Sequence, residues 1–291
     1  MSIILDHVCY QYKDNVNTQE YAIKDINLKI EDGEFIGLIG HTGSGKSTLI
    51  QHFNGLVKAS AGNIYYNGQN IYEKDFSMKA LRGKVGLVFQ YPEHQLFEST
   101  VIKDISFGPK NLGLPALEAD LRSYQAMKDV GLSEELLDVS PFALSGGQKR
   151  RVAIAGVLVT KPEVLILDEP VAGLDPVGKK QLMSILHEIH RTTLKTIIIV
   201  SHDMDEVCEN CNKIAVFAKG KVVECNSPEL LFSSTKKLED LRLDLPITAK
   251  ITEKLKEIGV DIQTDYKIND FIYAVKQEYS KISLGKENYK K

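Results

Sequence analysis

Residues 40 to 48 read GHTGSGKST. They match G-x-x-x-x-G-K-[ST] and lie between an apolar run and an amphipathic one, so strand, loop and helix are predicted in that order. That arrangement suits a polyphosphate. Glycines let backbone N–H groups converge on phosphate oxygens, and the helix N-terminus adds partial positive charge. Lys46 reaches the outer phosphates and Ser47 offers a hydroxyl to Mg²⁺. Gly40, His41, Thr42, Gly43, Ser44, Gly45, Lys46, Ser47 and Thr48 are thus the candidate nucleotide-binding residues.

Two further stretches extend the chemistry. VLILDEP ends a predicted buried strand in Asp168, at the carboxyl edge where α/β sheets hold ligands. A carboxylate there can hold Mg²⁺ through water. Glu169 follows, placed to polarise a water attacking the γ-phosphate, although two adjacent acids after a strand also occur as plain surface acids. LSGGQ, with Leu144, Ser145, Gly146, Gly147 and Gln148, precedes the apolar helix VAIAGVLV. It presents a hydroxyl and free amides at a helix N-terminus, a second anion cradle in one chain.

The elements that must position these groups follow from periodicity. IILDHVCYQY and AIKDINLKI alternate as two antiparallel strands. EFIGLIG, VGLVF, VLILDEP and TIIIVSH are short apolar runs suited to a buried parallel sheet. Asn67-Gly68 marks a hairpin. From about 95 to 143 the β signal gives way to helical spacing, and KIAVFAKGKVVE then reads as strand, turn, strand. Ser227 and Pro228 open a short helix. Beyond 234 the composition shifts to Lys, Glu and Ile, and Ile247, Ile251, Leu255 and Ile258 share one helix face.

Bulk properties narrow the classes. With 36 basic against 39 acidic residues the net charge is -3, which argues against a nucleic-acid partner. No run approaches a membrane span, so any span comes from another chain. Cys208 and Cys211 form a C-x-x-C without the further Cys or His pair that zinc requires, so four free thiols are expected.

P-loop, LSGGQ and LILDEP in this order resemble the ATP-binding-cassette ATPases, over residues 1 to about 232. The resemblance implies an α/β fold: a RecA-like P-loop core with an antiparallel β subdomain and a helical subdomain at about 95–160. The cassette would span 1–233, followed by a small α/β dimerisation extension over 234–291. Gly40 to Thr48 would be the Walker A loop and Asp168 the Walker B aspartate, with Glu169 the catalytic base. Ala172, Gly173, Leu174 and Asp175 would form the loop crossing to the partner subunit. His202 would be the switch histidine on the γ-phosphate. Tyr12 would stack on adenine, with Tyr10 the second candidate. Gln90 would reach the attacking water and share Mg²⁺ with Ser47 and Asp168. ATP would lie between one subunit's P-loop and the other's LSGGQ.

FQYPEHQLFESTVIKDISFGPKNLGL, from Phe89, narrows the resemblance to the ATPases of energy-coupling factor transporters, which import vitamins and metal ions. Thr42 fits the second of that family's two ATPase types. Val171 and Cys225 depart from its usual residues without touching the chemistry. The implied partners are a second related ATPase, as heterodimer or homodimer, a transmembrane coupling protein and a substrate-binding membrane protein. The implied site is the cytoplasmic face of the cell membrane. Tyr91, Leu96 and Phe97 are expected to line a groove for a coupling helix, and Glu93 to pair with a basic residue on it. An ATPase subunit of another ABC transporter, a metal-ion or other importer, is the first alternative, and soluble cassette proteins acting on DNA or in translation are the second. They carry a long coiled coil or two cassettes, and neither pattern occurs here.

Overall fold

The computed structural model describes residues 2–12, 21–193, 196–233 and 235–288. Strands β1 (Ile3–Tyr10), β2 (Ile23–Ile30) and β3 (Phe35–Ile39) lead into α1 (Lys46–Phe53). After β4 (Ala61–Tyr66), β5 (Gln69–Asn70) and α2 (Met78–Lys84) comes β6 (Val85–Val88). A 3₁₀ turn at Pro92–Gln95 opens the helical region: α3 (Val101–Leu112), α4 (Ala116–Asp129) and α5 (Gly146–Leu158). Then follow β7 (Val164–Asp168), α6 (Pro176–Thr192), β8 (Thr196–Val200), α7 (Met204–Asn210), β9 (Lys213–Ala218) and β10 (Lys221–Asn226). The chain closes with α8 (Pro228–Phe232), α9 (Thr235–Asp240), α10 (Ile247–Glu257) and α11 (Ile268–Asn288).

The strands form two sheets. One is antiparallel in the order β2-β1-β4-β5, its hairpin closed by Asn67 and Gly68, both at positive φ. The other, β10-β9-β3-β8-β7-β6, is parallel from β9 to β6. Every residue of β3, β6, β7 and β8 is buried, which explains their unbroken apolar sequences. One apolar cluster fills the space between the sheets and against α1; the other packs the helical region and α6–α8 on the opposite face. On that face a Cβ on Gly86 would collide with Val157 of α5, so the helix lies directly on the strand.

The C-terminal extension differs from expectation. Among the described residues it contains helices and no strand, so it is not an α/β unit. Leu238, Leu245 and Ala249 join the cassette's own core, and α10 buries Thr248 and Ala249. The Thr248 hydroxyl donates to the Tyr266 carbonyl at 2.5 Å. Ile247, Ile251 and Ile258 are exposed, so most of the apolar stripe is left uncovered by its own chain. Cys208 and Cys211 are buried apolar packing groups where α7 meets β3. No described helix is long and apolar enough to cross a membrane.

Candidate functional site

The carboxyl ends of β3 and β7 open into a cavity of about 370 Å³. Tyr12, Thr42, Gly43, Gly45, Lys46, Ser47, Thr48, Gln90, Asp168 and Glu169 all line it, from stretches far apart in sequence. Ala22 and Val200 complete the wall. Gly45 enters α1 at φ 107°, where a Cβ would strike the Ala22 carbonyl; only glycine fits that approach. The first turn of α1 therefore faces the cavity.

The charged groups there are held in tension. Lys46 Nζ donates to the carbonyls of Gly40 at 2.6 Å and His41 at 2.9 Å. Burial pulls its ammonium below the usual lysine range, against the pull of Glu169 and Asp168. Burial pushes the Asp168 carboxyl up, against the Ser47 hydroxyl that donates to it at 3.0 Å. A polyphosphate beside Lys46 and a cation beside Asp168 would relieve both penalties. Hydroxyl, carboxylate and the nearby Gln90 amide make an oxygen donor set suited to a hard divalent ion.

Glu169 adopts φ 50°, the left-handed region, and its amide donates to the Val200 carbonyl at 2.9 Å. Its carboxylate is largely buried, with both oxygens 2.9 Å from His202 Nδ1. His202 is exposed in the loop between β8 and α7, outside the cavity wall. The Tyr12 hydroxyl lies 2.8 Å from Thr48 Oγ1, and its ring meets Tyr10 edge-on at 4.9 Å. Tyr10 packs back on the buried His52, so Tyr12 is the ring at the cavity. His41 turns away and bonds the Leu241 carbonyl.

Leu144 to Gln148 and Ala172 to Asp175 do not line this cavity. Ser145 caps α5 through the Gln148 amide at 3.3 Å, and the Gln148 side chain accepts from the Ser145 amide at 2.9 Å. The Gln148 carboxamide oxygen is thereby engaged within its own chain. Asp175 likewise caps α6 through the Gly178 amide at 2.7 Å, and Gly173 turns the loop at φ 76°.

The stretch after Gln90 departs from expectation in two places. Leu96 is only 7% exposed and belongs to the core, whereas Phe97 is 56% exposed. Leu96 thus forms the floor of the groove, not its sticky edge. Phe97 meets Phe107 of α3 edge-on at 4.9 Å, beside a crevice also lined by Gly108, Ala153 and Gly156. Asp104 holds this corner by accepting from the amides of Phe97 and Glu98 at 3.2 and 3.0 Å. Glu93 faces Arg150 of its own chain at 3.7 Å, so its basic neighbour is internal. Tyr91 is exposed at φ 55° and stacks on His94.

Arg150 is the residue that the motifs did not reveal. It lies two positions past LSGGQ and is 5% exposed, with its guanidinium bonded to the chain after Glu169. The one available signal was a basic residue on a helix whose next turns are apolar. Glu206 of α7 was also missed; burial pushes its carboxyl to about 7.

Comparison with known proteins agrees with this geometry. Residues 23–172 match the ABC transporter family. The chain is 50% identical over 265 residues to the energy-coupling factor transporter ATP-binding protein EcfA2 of Caldanaerobacter subterraneus subsp. tengcongensis, covering 91% of this chain and 93% of the relative. It is 46% identical to the protein of the same name from Clostridioides difficile, covering 98% and 99%. Among solved structures it is similar to CbiO1 from Clostridium perfringens, part of the ABC transporter complex CbiONQ. That match has a TM-score of 0.72 and 40% identity over 86% of this chain and 98% of that one. The dimeric ATP-binding cassette MJ0796, in a post-hydrolysis state with ADP and Pi, gives a TM-score of 0.69 and 28% identity over 77% and 98%. The chain belongs to the ABC transporter family, among the ATP-binding proteins of energy-coupling factor transporters.

Proposed function

We propose that this chain hydrolyses ATP to drive uptake of a vitamin or other micronutrient, as one half of a head-to-tail ATPase pair. The other half is a second related ATPase subunit or another copy of this chain. The pair works on the cytoplasmic face of the cell membrane with a transmembrane coupling protein and a substrate-binding membrane protein. The observation that carries this reading is the meeting of Ser47 with Asp168, and of Glu169 with His202, around the cavity headed by Lys46.

Lys46 exchanges its loop carbonyls for the outer phosphates of ATP, and Tyr12 stacks on the adenine. Magnesium held by Ser47, Gln90 and Asp168 would neutralise phosphate charge. Glu169 takes the proton of the attacking water, with His202 orienting its carboxylate. Ser145, Gly146 and Gly147 close over the nucleotide of the partner subunit, and Ala172 to Asp175 cross with them. Exposed Phe97 and Tyr91 meet a helix of the coupling protein, while the stripe of α10 meets the other ATPase.

The test is Glu169→Gln. ATP binding is retained, closed dimers accumulate in ATP, and phosphate release at this composite site falls by roughly 10²- to 10⁴-fold. Unchanged single-site turnover removes Glu169 from the mechanism.

A further inference from the structure

Arg150 is a buried cation outside the nucleotide cavity. A guanidinium in such a place is costly unless its donors are met. Its Nη1 donates to the Pro170 carbonyl at 3.0 Å and to the Ala172 carbonyl at 2.7 Å. Its Nη2 stands 3.7 Å from Glu93 Oε2, close enough for an ion pair and too far for a hydrogen bond. Arg150 Nε and Glu93 Oε2 are both buried without a hydrogen-bond partner among the described residues. The guanidinium is therefore closed on one side and loose on the other.

The three elements it touches have separate tasks. Helix α5 carries LSGGQ at its N-terminus. The 3₁₀ turn with Glu93 directly follows Gln90 and Tyr91 and leads to the exposed Phe97. Pro170 directly follows Glu169, and Ala172 opens the loop that ends in Asp175. That link is under strain, since Glu169 itself holds a left-handed backbone that costs a non-glycine residue of its size. Two hydrogen bonds from one rigid fork resist its relaxation.

We propose that Arg150 is a positioning residue for hydrolysis: it holds Pro170 to Ala172 in place, and Glu93 sets how firmly. A shift of the 92–95 turn toward α5 closes the loose side of the guanidinium on Glu93 and fixes the fork. A shift away frees it to swing from the two carbonyls. Displacement of the turn thereby reaches Glu169 and the crossing loop without passing through the nucleotide. That the turn is moved by a membrane partner rests on the docking reading above; the bonds of Arg150 do not.

The experiment uses the full-length chain purified with its ATPase partner, with steady-state kinetics in ATP and nucleotide titration of the isolated subunit. Arg150→Met lowers kcat at least about tenfold, while KM and nucleotide affinity stay within about twofold. Arg150→Lys keeps the charge, holds the two carbonyls less firmly for want of the planar guanidinium, and recovers part of kcat. Glu93→Gln lowers kcat by about threefold, and the double variant is no slower than Arg150→Met alone, the non-additivity of a coupled pair. If Arg150→Met yields no folded dimer, Arg150→Lys and Glu93→Gln carry the same comparison. A normal kcat in folded Arg150→Met protein, with only its melting temperature lowered, overturns the proposal. So does a kcat loss matched by an equal loss of nucleotide affinity. Additive losses overturn Glu93's share. None of these rates needs a membrane partner, so failure of the docking reading would appear in uptake alone and leave them standing.

Discussion

Replacing Phe97 by alanine should weaken the joint with the membrane partner while leaving the isolated subunit almost as stable as before. Phe97 is 56% exposed, and its chief contact is the edge-on ring of Phe107. Losing that pair costs about 0.5–1.5 kcal/mol of subunit stability. A docked helix would cover the exposed half of the ring. Since fully burying a phenylalanine contributes roughly 1.5–3 kcal/mol, the exposed 56% is worth about 0.8–1.7 kcal/mol. The expected loss of affinity is therefore roughly 4- to 20-fold. Leu96 is the control. It sits in the core at 7% exposure, and Leu96→Ala should cost about 2–5 kcal/mol of folding stability. Chemical denaturation of the isolated subunit and titration of the ATPase pair onto its membrane partners measure the two effects. If Phe97→Ala unfolds as easily as Leu96→Ala, or binds its partners undiminished, the exposed ring is not a docking surface.

Two further substitutions probe other parts of the molecule. Glu206 has a folded pKa of about 7 against an ordinary 4.5, because of burial. The folded state thus keeps a proton that the unfolded chain has released, and stability present below pH 4.5 is lost as pH rises through 7. Glu206→Gln never ionises, so its melting temperature relative to the parent should rise between pH 5 and pH 8, equivalent to on the order of 1–3 kcal/mol. A difference that stays constant with pH refutes the burial argument. Ile258→Asp, on a side chain 74% exposed, should leave monomer stability within about 0.5 kcal/mol yet weaken pairing with the other ATPase. Undiminished pairing in analytical ultracentrifugation means that the α10 stripe faces something else.

The nucleotide cavity was legible because its determinants are local. Gly45 must be glycine for the turn into α1, Lys46 and Ser47 follow in the first turn, and Asp168 ends an unbroken apolar strand. Each fact can be read from a few adjacent residues. Leu96 and Phe97 follow a 3₁₀ turn and precede α3, where neither the helical nor the strand period operates. Nothing in the local pattern says which of the two points inward; α5 and Asp104 decide it. Glu93 found its basic neighbour on α5, a contact that only tertiary packing creates. The extension misled for a different reason. Its strand content was carried over from the resemblance and not from its residues, for the helical spacing of Ile247, Ile251, Leu255 and Ile258 marks α10 where it lies.

The burial of α7 against β3 has a use in the laboratory. Burial pushes the Cys208 thiol up to about 12 and also raises the thiols of Cys211 and Cys225. Maleimides and spin-label reagents attack thiolates, so these three sulfurs are poor targets. Cys9 is half-buried, its sulfur accepting from the Asp25 amide at 3.2 Å. A Cys9→Ser background would therefore leave the subunit almost silent to such reagents with its interior thiols intact. Single cysteines placed at 97 and 258 would then carry probes selectively, one on each exposed surface, and distances between them would follow the molecule through its cycle.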